Sequence, residues 1–153
     1  MKKVHLISCF SLLVILFLSS CSEEPPADKI KGSYGCMVQL FTRYKLGDKW
    51  RDTAYVYKEN NAVVIDKVDD NTISIKATSK KLGEAVVNTA SIRDNNSTAN
   101  FSGDGTFTVN NRNYDANISG TFGYESHNIA VDVRVTGFPN SGNKYILSFT
   151  NNR

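Results

Sequence analysis

Residues 99–124 read ANFSGDGTFTVNNRNYDANISGTFGY, and this stretch decides the fold. Apolar or small side chains alternate with polar ones on both sides of an Asn-rich break. Alternation with a period of two is typical of β-strands that bury one face. The stretch therefore predicts a β-hairpin whose strands are residues 99–109 and 114–124.

The register of this hairpin follows from the alternation. A turn centred on Asn111-Arg112 sets every inward residue opposite another inward residue, as a correct register requires. The predicted partners are Val109 with Tyr114, Phe107 with Ala116, Gly105 with Ile118, Gly103 with Gly120, and Phe101 with Phe122. A second turn at residues 125–128 adds the next strand, on which Arg134 faces outward. Its predicted partners are Phe122 with Val131 and Gly120 with Val133.

Gly103 and Gly120 are thus expected side by side on the buried face. Glycine inside a strand usually marks a bend, a bulge or the close approach of another group. Three interpretations remain open: a tightly coiled barrel wall, space for a large side chain such as Trp50 or Tyr34, or a ligand cavity. The interior residues that would line such a cavity are Phe101, Gly103, Phe107, Ile118, Gly120, Phe122, Val131 and Val133.

The rest of the chain repeats this pattern between breaks rich in Asn, Asp and Gly, without a convincing helical stripe. The alternating runs are residues 33–44, 51–58, 62–67, 72–78, 85–93, 99–109, 114–124, 129–137 and 144–150. We therefore expect an all-β fold, an antiparallel up-and-down β-barrel of about eight or nine strands, with a β-sandwich as the alternative.

The first 21 residues have the layout of an export signal, with a positive start, an apolar middle at residues 4–18 and small residues before a cysteine. This segment resembles a bacterial lipoprotein signal with the lipobox Leu18-Ser19-Ser20-Cys21. The resemblance implies cleavage before Cys21, a diacylglyceryl group on its thiol, and acylation of the new amine with a fatty acid such as palmitate.

The predicted organisation is a signal peptide at residues 1–20, a lipidated cysteine with a flexible tether at 21–29, and a β domain at 30–153. The tether is predicted because residues 22–28 are polar, acidic and proline-bearing. Ser22 after the cysteine fits transport to the outer membrane. Glu23-Glu24 resembles the surface-export signal of Bacteroidetes lipoproteins, and the surface and the periplasmic face both remain open.

The charge balance excludes a nucleic-acid-binding footprint. The chain has 18 Lys and Arg residues against 15 Asp and Glu residues. Lys2 and Lys3 leave with the signal, so the mature balance is about +1 and offers no basic stripe. The expected membrane contact is through the acyl chains alone. Cys36, the one remaining cysteine, is expected to be a small buried apolar residue.

The predicted first strand opens with Ile30-Lys31-Gly32-Ser33-Tyr34-Gly35. This resembles the entry of lipocalin and calycin barrels, in which a glycine and an aromatic residue two positions later close the barrel floor. Tyr34 takes the place of the usual tryptophan. Taken whole, the chain is similar to the small calycin-like lipoproteins of Bacteroidetes, which implies a barrel of this kind over residues 30–151.

No constellation of residues predicts catalysis. His127 is the only histidine after the signal, and it falls in a turn, where no buried acid is expected to orient it. No spacing of His and Cys predicts zinc. The acidic clusters at residues 66–71 and 94–96 fit turn chemistry better than calcium ligation. We therefore expect no enzyme, no metal and no cofactor.

Ligand-binding features are sparse. Trp50, Tyr55 and Tyr57 form either a platform for a glycan or part of the barrel packing. Asp52-Thr53-Ala54 matches an O-glycosylation pattern of Bacteroidetes envelope proteins, at Thr53. The expected function is a non-catalytic, lipid-anchored envelope module that binds a small apolar ligand, a glycan or a protein. The alternative is a structural or adhesion lipoprotein with a filled barrel, and a sizeable interior cavity would distinguish the two.

Overall fold

The computed structural model describes residues 23–142 and 144–151, and the lipobox residues Leu18 to Cys21 lie outside this part. The described part is all-β, as predicted, with one antiparallel sheet and one short helix. Its elements are α1 (Pro26–Ile30), β1 (Gly32–Gly35), β2 (Met37–Leu46), β3 (Lys49–Tyr57), β4 (Asn61–Asp69), β5 (Thr72–Ser79), β6 (Gly83–Asp94), β7 (Thr98–Val109), β8 (Arg112–Gly123), β9 (Ile129–Val135) and β10 (Tyr145–Thr150).

The sheet has the order β1-β4-β5-β6-β7-β8-β9-β10-β2-β3. From β4 to β10 each strand pairs with the next along the chain, which is an up-and-down meander. The predicted run 33–44 is divided at Cys36, because β1 pairs with β4 whereas β2 pairs with β10. Only Cys36 separates β1 from β2. The sheet must therefore curl until β1, at one end of the strand order, lies beside β2, the second strand from the other end. The predicted barrel-like, antiparallel architecture is confirmed.

The predicted faces are correct, but the predicted register of the β7–β8 hairpin is wrong by two residues. Phe101 lies opposite Gly120, and Gly103 lies opposite Ile118. The turn is Asn110-Asn111, whose φ angles of 49° and 60° are both positive. A two-residue hairpin turn of this kind needs positive φ at both positions, which Asn tolerates.

The β8–β9 register differs from the prediction by the same two residues. Gly120 pairs with Val131 and Phe122 pairs with Ile129, because the pairing continues until Gly123 N–H donates to the Asn128 carbonyl oxygen. A shift of two residues keeps every side chain on its face. The inward residues of β9 therefore stay buried, and Arg134 faces outward as predicted.

The strand glycines admit neighbouring groups. A Cβ atom at Gly103 would lie 2.7 Å from Val87 Cγ1 and 2.8 Å from the Thr89 carbonyl oxygen on β6. One at Gly120 would lie 2.6 Å from the Phe101 ring. Gly103 thus lets β6 approach where its pairing with β7 is irregular. Three interpretations of these glycines were open. At Gly103 the structure agrees with a tightly coiled barrel wall, and at Gly120 the space is occupied by the Phe101 side chain.

Helix α1 closes one end of the barrel. Ala27 and Ile30 are fully buried, and Ala27 N–H donates to the Asp70 carbonyl oxygen over 3.3 Å. Asp28 binds Lys31 and Lys67, and these hydrogen bonds lower the pKa of its carboxyl group. Residues 26–29, which the sequence assigned to the tether, therefore pack with the folded domain. One turn of proline-led helix has no periodicity that a sequence could reveal.

Aromatic rings fill the opposite end of the barrel. Phe138 stacks on Tyr145 with ring centroids 3.8 Å apart, and Tyr114 lies 5.0 Å from Phe138. Phe107 lies 5.9 Å from Tyr145 and is buried beneath it. Offset and tilted ring pairs of this kind contribute packing energy beyond their buried area. Side chains thus fill the interior of the barrel from helix α1 at one end to this aromatic cluster at the other.

Gly103→Leu should lower the free energy of unfolding by about 1–3 kcal/mol, because the new side chain would collide with the backbone of β6. Asp104→Leu, on the exposed face of the same strand, should change it little. Urea unfolding followed by circular dichroism compares the two variants. Equal, large losses at both positions would contradict the assignment of the faces.

Candidate functional site

The predicted interior residues come together as part of the hydrophobic core. Those with side chains are at most 3% exposed: Phe101, Phe107, Ile118, Phe122, Val131 and Val133. Gly103 and Gly120 face the same core, but neighbouring atoms fill the space beside them. The residues predicted to line a cavity therefore pack against one another.

The predicted aromatic platform is divided between two faces of β3. Tyr55 and Tyr57 share the inner face because they lie two residues apart, whereas Trp50 lies on the outer face. The Trp50 ring covers Gly142, where a Cβ atom would lie 3.0 Å from it. Thr53, the predicted glycosylation residue, is half-buried on β3. The three rings cannot contact one ligand together.

The barrel wall has a gap beside β3. This strand pairs with β2 only, and residues 58–60 lead from it into β4, which pairs with both β1 and β5. A cleft of about 450 Å³ opens between the end of β3 and the β5–β6 turn. We call it the lysine cleft, and its lining residues are Val56, Tyr57, Lys58, Glu59, Asn60, Lys80 and Lys81.

The lysine cleft is positively charged. Lys58, Lys80 and Lys81 are exposed, and none forms a salt bridge with another residue of the described part. Glu59 is the one acidic residue of the lining. The Lys81 ammonium lies 5.9 Å from the centre of the Tyr57 ring, within the range of a cation–π contact. Three cations thus converge with a single carboxylate.

A buried polar pair lies beside these lysines. Asn61 and Ser79 are opposite each other on β4 and β5, with 6% and 2% of their surface exposed. Asn61 Nδ2 donates to the Tyr57 carbonyl oxygen over 2.9 Å, but Asn61 Oδ1 has no hydrogen-bond partner. Ser79 Oγ has none either. Buried polar atoms without partners are rare in native proteins, and each costs about 1–3 kcal/mol.

Ser79 also reaches a second cleft, on the other side of the β5–β6 turn. This cleft measures about 400 Å³ and shares Lys80 and Lys81 with the lysine cleft. Its lining includes Ser79, Glu84, Asn110 and Asn111. Neither Asn61 nor Ser79 lines the lysine cleft, and both of their unpaired oxygens are buried.

The residues considered for chemistry are dispersed. His127 is exposed in the β8–β9 turn, and Cys36 is 6% exposed at the junction of β1 and β2. Burial raises the pKa of the Cys36 thiol to about 11, so the reactive thiolate is scarce at neutral pH. No group of three or more potential metal ligands occurs among the residues that the structure describes.

The acidic clusters are turns, as their composition predicted. The Asp69 carboxylate accepts a hydrogen bond from Asn71 N–H over 2.9 Å, and Asp94 does the same for Asn96 over 3.0 Å. These are side-chain-to-backbone bonds two residues apart, which stabilise turns without a metal.

Sequence reasoning missed the lysine cleft. Its cations come from two places that are distant in sequence, Lys58 and the pair Lys80-Lys81. The available signal was Asn61 and Ser79, since each is a polar residue that continues the inward alternation of its strand. A polar residue at an inward position is unusual and points to a site.

Comparison of the chain with protein-family models, with curated proteins and with solved structures finds no match. Within the described residues, no helix has the length and apolar character that crossing a membrane requires.

Ser79→Ala should leave the free energy of unfolding unchanged or raise it by up to about 1 kcal/mol, because it removes a buried hydroxyl that has no partner. Ser141→Ala is the matched control. Ser141 is equally buried at 2%, but its hydroxyl donates to the Phe138 carbonyl oxygen over 2.7 Å. The control should lose about 1 kcal/mol in urea unfolding. An equal loss for Ser79→Ala would mean that its hydroxyl is paired.

Proposed function

We propose that this protein is a non-catalytic, lipid-anchored module of the outer membrane that binds an acidic saccharide at the lysine cleft. The carrying observation is that three exposed lysines of the cleft form no salt bridge within the described part, while an exposed amide, Asn60, lies in the same lining. The side-chain oxygen of Asn60 would accept a hydrogen bond from a ligand hydroxyl group. A carboxylate would find three cations within the same cleft.

The chemistry of the cleft argues for a ligand that is both anionic and rich in hydroxyl groups. A purely apolar ligand would desolvate the lysine ammonium groups without pairing them. A simple anion would pair with the lysines but could not donate a hydrogen bond to the Asn60 side-chain oxygen. A uronic-acid sugar supplies both functions, and its size suits a cleft of about 450 Å³.

The packed interior supports a site outside the barrel core. The Phe107 and Tyr145 rings fill one end, and α1 closes the other. This packing also favours the second candidate function, a structural or adhesion lipoprotein without a small ligand. The two differ at the lysine cleft, because a purely structural barrel needs no anionic ligand for the three lysines that form no salt bridge in the described part.

The lipid anchor is proposed at Cys21. An anchor there would place the lysine cleft on the side of the domain that is far from the membrane. Cys21 is five residues from Pro26, so an extended chain spans roughly 17 Å between them. This would hold the α1 end near the bilayer. Asn61 lies at the opposite end of β4 from Asp70, which binds α1. The cleft would therefore face away from the membrane.

The up-and-down order and the position of Tyr34 near Ile30 also support a calycin-like family.

A tetrasaccharide of alternating glucuronic acid and N-acetylglucosamine should bind, and Lys80→Ala combined with Lys81→Ala should weaken binding at least tenfold. The reason is the loss of two charge-assisted contacts. Isothermal titration calorimetry at low salt measures the affinity, which should fall as salt screens the cations.

Three controls define this result. Arg112→Ala with Arg134→Ala removes the same charge from exposed positions elsewhere and should leave binding intact. The neutral N-acetylglucosamine tetrasaccharide should bind much more weakly than the acidic one. Ser79→Ala should leave binding intact, because Ser79 is buried and does not line the lysine cleft. Equal affinity for the neutral and acidic sugars would refute the proposal.

Cys21→Ser should block processing and fatty-acid labelling, since the thiol that receives the lipid is gone. The precursor should then run as a larger band in whole-cell extracts, and incorporation of radiolabelled palmitate should disappear. Continued processing and membrane binding of the variant would show that Cys21 is not the anchor.

A further inference from the structure

Exposed apolar side chains concentrate on the β2–β3 hairpin. Six of the seven large hydrophobic residues that are exposed in the described part belong to these two strands: Met37, Tyr44, Leu46, Trp50, Tyr55 and Val56. Trp50 is 46% exposed, and Tyr55 and Val56 are each 52% exposed. Apolar side chains gathered in this way usually mark an interaction surface.

The same hairpin has a free edge. β3 is one of the two terminal strands of the sheet order, so the N–H and C=O groups along its outer side have no partner strand among the residues that the structure describes. Such an edge is a template for another strand. Proteins usually protect it with charges, and β3 does carry Lys49, Arg51 and Asp52. The identity of the occupant follows from where these charges fall along the strand.

We propose that β3 pairs antiparallel with β3 of a second copy of this chain, around a two-fold axis at Thr53. β3 has nine residues, and Thr53 is the middle one. This register is therefore the only symmetric one that pairs every residue of the strand. Its cross-strand partners are Thr53 with Thr53, Asp52 with Ala54, Arg51 with Tyr55, Trp50 with Val56, and Lys49 with Tyr57.

The charges of β3 suit this register. Each cation lies opposite an aromatic ring of the other copy, Arg51 against Tyr55 and Lys49 against Tyr57, where cation–π contacts form. No like charges are opposite each other. A shift that places Asp52 on the axis would set two carboxylates face to face, which is destabilising. The Trp50 and Val56 side chains of the two copies would cover each other on the outer face, which would bury two of the exposed apolar side chains of each copy.

Antiparallel pairing joins the two copies head to head. The chain runs along β3 and then β4 from the hairpin tip towards Asp70, which binds α1. Reversing this direction in the second copy points its α1 end the opposite way. This step rests on the proposed function, in which Cys21 carries the lipid anchor. The lipids of the two copies would then point away from each other. The dimer then links two opposing membranes, which is homophilic adhesion.

The pairing is tested first by cross-linking. Thr53→Cys in the full-length protein, purified in detergent and mildly oxidised, should form a disulfide-linked dimer, because facing residues on antiparallel strands lie within disulfide reach. Val68→Cys on β4, which is also 52% exposed, is the matched control and should not cross-link. Neither this control nor the unmodified chain, whose Cys36 is buried, should show a disulfide-linked band, although both should still form the non-covalent dimer. Equal cross-linking of both variants would overturn the proposal, and so would a linked band that contains a different protein.

A charge swap tests the register itself. Tyr55→Lys places a lysine opposite Arg51 twice in each dimer, and should lower the dimer fraction at least tenfold by light scattering. Adding Arg51→Glu should restore the dimer, because opposite charges then face each other. Both residues are exposed, and circular dichroism verifies the fold. A dimer that persists in Tyr55→Lys, or fails to return in the double variant, excludes this register.

Adhesion is tested with vesicles that carry the full-length lipoprotein. They should aggregate, and the Tyr55→Lys variant should abolish aggregation. Dimers in detergent without vesicle aggregation would overturn the head-to-head part of the proposal. Retained saccharide binding in Tyr55→Lys would leave the proposed function standing, so the failure of one proposal is distinguishable from the failure of the other.

Discussion

The single residue Cys36 joins β1 to β2, and this short link determines how the whole sheet curls. β1 and β2 are covalently continuous, yet they pair with β4 and β10, which are far apart in the sheet order. Asn61 holds the bend, because its carbonyl oxygen accepts from Cys36 N–H over 3.0 Å and its amide donates to the Tyr57 carbonyl oxygen. The sheet can only curl. Because β4 takes the place beside β1, β3 is left with a partner on one side alone, and the gap beside it becomes the lysine cleft.

This arrangement explains why a core position carries an amide. A hydrocarbon side chain at Asn61 would pack against Val63 on the same face, but it could not bind the carbonyl oxygens of Tyr57 and Cys36. The cost is an amide oxygen that stays unpaired in the free protein. Residues that satisfy the fold imperfectly tend to mark functional sites. The junction of β1 and β2 thus uses the nitrogen of the Asn61 amide and leaves its oxygen without a partner.

The alternation of residues 99–124 was sufficient for the strands and for their faces, but not for the register. A slip of two residues leaves each inward side chain inward, so agreement between faces cannot detect it. The turn decides the register, and here it depends on the positive φ of Asn110 and Asn111. Helix α1 escaped prediction because Ala27 and Ile30 are buried by distant strands, not by local periodicity. The lysine cleft escaped for the same reason, since its two basic segments meet only through the curl of the sheet.

In the proposed dimer, the lysine cleft and the free edge of β3 would be coupled through Tyr57. This ring lines the lysine cleft in one copy, and in the proposed dimer it lies opposite Lys49 of the second copy. Pairing therefore adds a fourth cation to each cleft, and an anionic ligand would offset the repulsion among these four charges. By thermodynamic linkage, a ligand that binds the dimer more tightly must strengthen the dimer by the same factor. An acidic saccharide between two cells would then promote the contact that presents it, which joins the binding function and the adhesion function in one strand.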